Sequence, residues 1–302
     1  MISVLIPVFN SSVVMLVSEL QQQLSAAEIP YEIIVVDDCS TVFLKNINRV
    51  IQEYQHVNYL ELPHNIGRIA VRNLLSKKAV FNWLLFLDAD SVIVSTQFIK
   101  AYLEAVIANV DVIVGGRIYD KKKPADCRLS LHWTYGSQRE CQLPEQRNKH
   151  LRAGFMSNNF LIKKDIFFKL QITEVLAGYG HEDTWMGIQL ENIGASVQNI
   201  SNPVLHNGIE ESHVFINKSL NALKNLHTLQ KLVGEETLKN HVKLYAVYYS
   251  CKKWGVLPLL KIGVTMLQPI IMKNLHSCHP SLRLFDVYRL NYFACLNRTG
   301  TS

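Results

Sequence analysis

The chain has no uninterrupted apolar stretch of the roughly 18 residues that a transmembrane helix needs, so none is expected. It has no C-x-x-C pair either. Its six cysteines, Cys39, Cys127, Cys141, Cys251, Cys278 and Cys295, lie far apart. That spacing excludes a zinc ribbon, argues against a disulfide framework and fits a reducing, cytoplasmic setting. His276-Ser277-Cys278-His279 has no partner cysteine or histidine at ligand spacing and reads as no metal site. The start, Met1-Ile2-Ser3-Val4-Leu5-Ile6-Pro7, lacks a basic region and a cleavage site and reads as a first strand, which leaves the sequons at Asn10, Asn217 and Asn297 without meaning. Internal repeats and low-complexity tracts are lacking. Charged residues are 19% of the chain against 48% hydrophobic, a globular composition that can bury a substantial core. The net charge of +6 suits anionic small substrates or an anionic membrane surface and gives little reason to expect nucleic acid as a partner.

What the chain does have is an apolar run that stops on two acids, Leu84-Leu85-Phe86-Leu87-Asp88-Ala89-Asp90. In an extended segment alternate residues share a face, so Asp88 and Asp90 point the same way and repel unless a cation lies between them. Mg²⁺ and Mn²⁺ are held by such carboxylates together with water and substrate phosphates. A solvated turn is the plainer reading of an isolated Asp-x-Asp, and the surroundings decide. Over the first 116 residues, continuous apolar runs (2–7, 31–36, 57–62, 83–87 and 111–114) alternate with helical patterns (12–27, 42–54, 69–80 and 98–107). That order predicts a mostly parallel sheet sandwiched by helices. Ligands of such sheets sit outside the carboxyl ends of the strands, where Asp37-Asp38 and Asp88-x-Asp90 both fall.

From Arg117 to His150 periodicity fails, and the segment is expected to be a long mobile loop; Lys121-Lys122-Lys123-Pro124 either contacts substrate or is a solvated face. Order returns at Asn159-Phe160-Leu161-Ile162 with a short helix from Lys164. Gly178-Tyr179-Gly180-His181-Glu182-Asp183 then opens a helix that stops near Gly194, and short strands follow at 196–200 and 204–206. Beyond residue 212 the pattern is helical, so a boundary is placed between a domain of residues 1–211 and a helical extension of residues 212–302.

Five segments, Ser3-Val4-Leu5-Ile6-Pro7-Val8-Phe9-Asn10, Glu32 to Ser40, Asn65-Ile66-Gly67-Arg68 through Arg72-Asn73, Asp88-Ala89-Asp90 and Gly180-His181-Glu182-Asp183, together resemble the family 2 glycosyltransferases of GT-A fold. The likeness covers about residues 1–210; Cys39, where glycine is commoner, and Ala70-Val71 depart from the pattern. Asp38 can accept a hydrogen bond from a pyrimidine N–H. The resemblance implies that it grips uracil with Pro7 and Phe9 flanking the base, while Asp37 faces the structure. Asn65-Ile66-Gly67-Arg68 opens a helix, a ready pyrophosphate site, with Arg68 the first choice for the contact. Arg72 either pairs with the acidic edge or touches substrate. Asp90 is the expected direct metal ligand, and Asp88 reaches the ribose or the metal. His206, ending a strand, either completes the metal or phosphate site or is structural. Asp183 is the expected base, its ionised form favoured at a helix start, although an acid there is most often a cap. His181, Glu182 and Trp185 are expected to line the acceptor or sugar pocket.

One base without a carboxylate nucleophile implies a single displacement with inversion. The Q-x-x-R-W pattern of processive synthases is missing, so one sugar is expected to move from a nucleotide-diphosphate donor, uridine-linked, to a glycan or lipid-linked acceptor in surface polysaccharide assembly, with Mn²⁺ or Mg²⁺. A sugar nucleotidyltransferase would carry a glycine-rich loop after the first strand, and Phe9-Asn10-Ser11-Ser12 is not one. A non-catalytic scaffold of the same fold stays open. Trp254 to Met272 and Leu282 to Leu296 combine apolar and aromatic faces with basic residues. They suit either peripheral contact with an anionic membrane or packing on the core or a second subunit.

Overall fold

The computed structural model describes residues 1–149, 155–170, 176 and 180–297. Within them the chain divides into two compact units: residues 1–119, 141–174 and 189–208, and residues 120–140, 175–188 and 209–302. The division thus differs from a single cut after residue 211. Two earlier segments, 120–140 and 175–188, cluster with the C-terminal helices.

The first unit opens with β1 (Ile2–Val8), α1 (Val14–Ala26), β2 (Tyr31–Asp37), α2 (Val42–Asn48), β3 (Val57–Glu61), α3 (Arg68–Lys78), β4 (Trp83–Leu87), β5 (Ser91–Ile93), α4 (Phe98–Val106), β6 (Val112–Val114) and β7 (Arg117–Ile118). In the second unit, α5 spans Ser130–Tyr135. The first unit resumes with α6 (Pro144–Lys149), β8 (Asn159–Lys163) and α7 (Lys164–Lys169). After α8 (Glu182–Asn192) come β9 (Val197–Asn199) and β10 (Val204–His206), then α9 (Ser212–His241), α10 (Lys243–Lys253), α11 (Leu257–Leu275) and α12 (Leu282–Leu296).

Seven strands form one sheet in the order β3-β2-β1-β4-β8-β6-β9, in which β8 runs antiparallel to both of its neighbours. The strands nearest the N-terminus are buried on both faces. Val4, Ile6, Ile33, Val35, Leu85 and Leu87 are all closed to solvent and pack with Val17, Leu20 and Leu24 of α1. Each such side chain contributes about 1.5–3 kcal/mol by leaving water. Buried Ser3 is accommodated in the central strand by donating to Glu32 Oε1 at 2.6 Å. Pro7 falls just beyond the stretch of β1 paired with β4, where its missing N–H breaks no ladder on that side. Chain order reverses at β1, flanked by β2 and β4, and ligands of such sheets bind beyond the carboxyl ends of the strands at such a reversal.

Beside it β5, β10 and β7 form a three-stranded sheet in which His206 of β10 pairs with Ser91 of β5. Buried Asn159 secures the segments leading into it. Its Nδ2 donates to the carbonyls of Gly116 and Asn202, and its Oδ1 accepts from the Tyr102 hydroxyl at 2.6 Å. The strands β5 and β7, of three and two residues, are not expected from the sequence pattern.

The second unit is helical. Its core joins Leu131 of α5, Phe215 and Ile216 of α9, Val264, Ile271 and Leu275 of α11, and Leu282 and Phe285 at α12. His132 stacks on Phe215 with ring centroids 4.4 Å apart, and Tyr135 meets Phe285 edge-on. These contacts overturn the expected loop over 117–150. Residues 127–149 are mostly helical turns, too short to show a period and held by tertiary packing.

Cys127 and Cys278, 151 residues apart with Cα atoms 4.4 Å from each other, form a disulfide. The wide spacing therefore concealed a bond, a correction to the reading of the cysteines as apart, since sequence distance does not limit which thiols a fold brings together. Cys39, Cys141, Cys251 and Cys295 are free. Alkylation of the denatured protein followed by mass measurement should label four thiols without reductant and six with it; six labels without reductant would show that the bond does not form.

Candidate functional site

Within the first unit, the ends of β1, β2 and β4 and the start of α3 place Pro7, Phe9, Asp38, Asn65, Arg68 and Asp88 along one edge. Phe9 is more than half exposed beyond β1, an unusual setting for an aromatic and a suitable platform for a planar ring. Asp37 is fully buried and accepts from Ser40 N at 2.7 Å and from the Tyr59 hydroxyl at 3.1 Å, so it serves the fold as expected. Asp38 holds the turn that leads into α3. Its Oδ1 accepts from Ile66 N at 2.7 Å and its Oδ2 from Gly67 N at 2.9 Å, while Asn65 Nδ2 donates to its carbonyl. Each oxygen keeps a second lone pair for another donor.

Asp88 is held by two arginines. Arg68 Nη2 donates to both its oxygens at 2.7 Å, and Arg72 Nη2 donates to Oδ1 at 2.9 Å. Arg72, 3% exposed, also donates to the Ser157 carbonyl at 2.6 Å, which settles its two readings in favour of the acidic edge. Burial pushes the Asp88 carboxyl upward, but the charges of Arg68, Arg72 and Arg117 outweigh it and hold the group below the usual carboxylate range. Asp88, expected to reach the metal or the ribose, has both carboxylate oxygens engaged by this arginine clamp. Arg117, which sequence reading left out, had a signal in its place directly after Gly115-Gly116 at a strand end.

Asp90, two residues on, is 38% exposed, and its Oδ2 lies 3.3 Å from His206 Nδ1. The His206 ring meets Tyr119 edge-on at 5.1 Å, which orients it. A Cβ on Gly208 would lie 2.4 Å from Asp90 Oδ2, so a side chain there would displace the Asp90 carboxylate. Gly208 and Tyr119 escaped sequence reading because only the fold brings them to Asp90. Among the described residues no three His, Cys, Asp or Glu side chains are grouped to hold a metal. The Asp90–His206 pair in its glycine-lined recess fits a divalent cation that takes its remaining ligands from phosphate oxygens and water.

In the second unit, Gly180 has a φ of +105°, and a Cβ there would meet Ala222 Cβ at 2.3 Å. Asn225 Nδ2 donates to its carbonyl at 3.0 Å. Glu182 is buried and turns back to accept from Gly180 N at 2.9 Å, so it locks the turn where a pocket-lining role was expected. His181 has a φ of +65°, and its Nδ1 lies 3.1 Å from Thr184 Oγ1. Burial first, and then the charge of Arg289, push its imidazole down to about 3, so it is neutral near pH 7. Asp183 and Trp185, both partly exposed, stand in the first turn of α8. Gly178 and Tyr179 lie outside the described residues.

The geometry is that of a nucleotide-binding α/β sheet, and comparison with known proteins gives the same class. The model of glycosyl transferase family 2 matches residues 3–168, and the chain belongs to that family. The structure is similar to the mannosyltransferase PcManGT from Pyrobaculum calidifontis, solved with GDP-Man and Mn²⁺, at TM-score 0.52 and 13% identity over 100% of this chain and 88% of that one. It is also similar to glucosyl-3-phosphoglycerate synthase from Mycobacterium tuberculosis, solved with Mg²⁺ and UDP, at TM-score 0.51 and 12% identity over 76% of this chain and 78% of that one. These likenesses establish the GT-A fold. A search of curated proteins by sequence gave no match.

Asp88→Asn should lower stability at pH 7 by about 3–5 kcal/mol, because it leaves Arg72 buried without its counter-charge. The Asp88 contribution is present above the unfolded carboxylate value near about 4 and is lost as pH falls through the lower folded value. Denaturant unfolding at neutral pH and below pH 4 should therefore show the deficit of the variant shrinking in acid.

Proposed function

We propose that the protein is an inverting, metal-dependent glycosyltransferase that moves one sugar from a uridine-diphosphate donor to a hydroxyl of a glycan or lipid-linked acceptor. In this reading it works in surface polysaccharide assembly. The observation that carries the reading is the sheet edge where Asp38, Arg68, the Asp88 clamp and the Asp90–His206 pair stand together. Among relatives of this fold, the mannosyltransferase was solved with Mn²⁺ and GDP-Man and the phosphoglycerate synthase with Mg²⁺ and UDP.

Asp38 takes the N–H of the uracil ring on its spare lone pairs, and Phe9 and Pro7 flank the base. Asn65 and Arg68, at the start of α3, face the diphosphate, where the helix N-terminus and a guanidinium favour the same charge. Asp88 keeps Arg68 extended for that contact before any donor binds, which lowers the ordering cost of binding. Asp90 and His206 would hold Mn²⁺ or Mg²⁺, which supplies positive charge to the leaving diphosphate. Asp183 receives the proton of the acceptor hydroxyl as its oxygen bonds to the anomeric carbon. The bond from that carbon to the diphosphate breaks, and the nucleotide leaves with the electron pair. Neutral His181 and Trp185 line the acceptor side, and Glu182 fixes the turn that carries Asp183.

Asp183→Ala should reduce transfer about 10²–10⁴-fold with UDP affinity unchanged, as measured by calorimetry with Mn²⁺. Asp90→Ala and Gly208→Ala should both weaken Mn²⁺-dependent UDP binding at least tenfold. Wild-type transfer by Asp90→Ala or Asp183→Ala would refute the assignment of these residues, and failure of the wild-type protein to bind UDP with Mn²⁺ would favour a scaffold.

A further inference from the structure

We infer that the outward face of α11 is the surface by which this protein lies on an anionic lipid bilayer. The inference deepens the proposed function and rests on it for a membrane-borne acceptor, but the observations behind it are separate from the donor site.

The helix has two apolar stripes. One, with Val264, Ile271 and Leu275, is buried against the core of the second unit. The other, with Leu259, Ile262, Met266 and Ile270, is more than half exposed. Its spacing of three or four residues keeps these side chains in one line along the helix. Leu267 extends this face, and Trp254, 80% exposed, stands at the corner where α10 and α11 meet at 115°. A continuous exposed apolar surface of this kind marks a binding face, and tryptophan at its edge suits the boundary between headgroups and acyl chains.

The charge around the stripe identifies the partner. From residue 237 to residue 285 the chain has no aspartate or glutamate, and it carries seven lysines and arginines. Lys253, Lys261 and Lys273 are exposed and, among the described residues, make no ion pair; Lys252 is paired with Glu235 at 2.8 Å. A second copy docked face to face would set Lys261 and Lys273 against lysines with no acid on that stretch to offset them, which is unfavourable. A bilayer bearing negative headgroups accepts both the apolar stripe and the lysines, each basic side chain adding about 1 kcal/mol. Because Val264, Ile271 and Leu275 on its other side pack into the core of the second unit, α11 lies in the plane of the interface, with its exposed stripe about 5–10 Å into the boundary; no single helix among the described residues is long and apolar enough to cross the membrane.

The test is co-sedimentation of the full chain with vesicles of phosphatidylcholine alone or of phosphatidylcholine with phosphatidylglycerol, without donor or metal. Wild-type protein should bind the mixed vesicles, at least tenfold more weakly when phosphatidylglycerol is left out or salt is raised. Ile262→Asp with Met266→Asp should remove binding, and Lys253→Glu with Lys261→Glu should weaken it at least tenfold, all with unchanged circular dichroism. Because these residues stand outside the donor site, UDP binding with Mn²⁺ should be unchanged in both variants, so a failure here is separable from a failure of the transferase reading. Absence of binding to mixed vesicles, equal binding by wild type and variants, indifference to phosphatidylglycerol, or a dimer seen by light scattering that Met266→Asp dissolves would each overturn the proposal.

Discussion

The neutralisation of Asp88 by Arg68 and Arg72 is the interaction around which the candidate donor edge is built. A carboxylate at the end of a buried strand is tolerable only with charge beside it. The two guanidiniums come from the first and second turns of one helix, so the requirement also fixes where α3 starts relative to β4. Arg72 reaches on to the Ser157 carbonyl, and Asp88 N donates to the Asn158 carbonyl, which draws the approach to β8 into the same cluster. Asp38, just past the end of β2, holds the turn that leads into the same helix. Three strands and one helix N-terminus are therefore registered by two acids, and Arg68 is held in place by the same contacts that stabilise the fold.

Much of this was legible in the sequence because buried parallel strands write themselves as unbroken apolar runs, and the acids ending 31–37 and 83–87 mark one edge of the sheet. The family pattern over Asp38, Asp88-Ala89-Asp90 and Glu182-Asp183 added roles that residue chemistry alone leaves open. What could not be read has common physical causes. Segments such as 117–118 and 130–135 span fewer than two periods of their own pattern. Distribution of charge between Asp88, Asp90 and the arginines depends on distances that only folding sets. The pairing of Cys127 with Cys278 and the fit of Gly208 beneath Asp90 are long-range facts with no local trace.

The acidic turn before α8 shows how closely structural and chemical duties can sit. Three consecutive residues take different tasks. His181 absorbs a left-handed backbone conformation, Glu182 spends its carboxylate on Gly180 N, and Asp183 is left in the first turn, where the helix dipole favours its charge. Ala222 and Asn225 of α9 hold Gly180 from the other side, so helix α9 of the C-terminal extension fixes the backbone from which Asp183 projects. That extension is thus part of the architecture of the acidic turn.

The bond between Cys127 and Cys278 makes a covalent ring of half the polypeptide. Asp183 and His206 lie inside the ring, while Asp38, Asp88 and Asp90 lie on the free arm before it. A backbone cut between the two cysteines leaves the pieces joined by the disulfide, whereas a cut between Asp90 and Cys127 leaves the arm that carries those three acids without a covalent link. The unfolded chain, too, is a loop with tails, with fewer conformations to lose on folding than an open chain of the same length. Loop closure therefore bears directly on Asp183, His206 and the helices within the ring, while Asp38, Asp88 and Asp90 lie on a tail that it does not close.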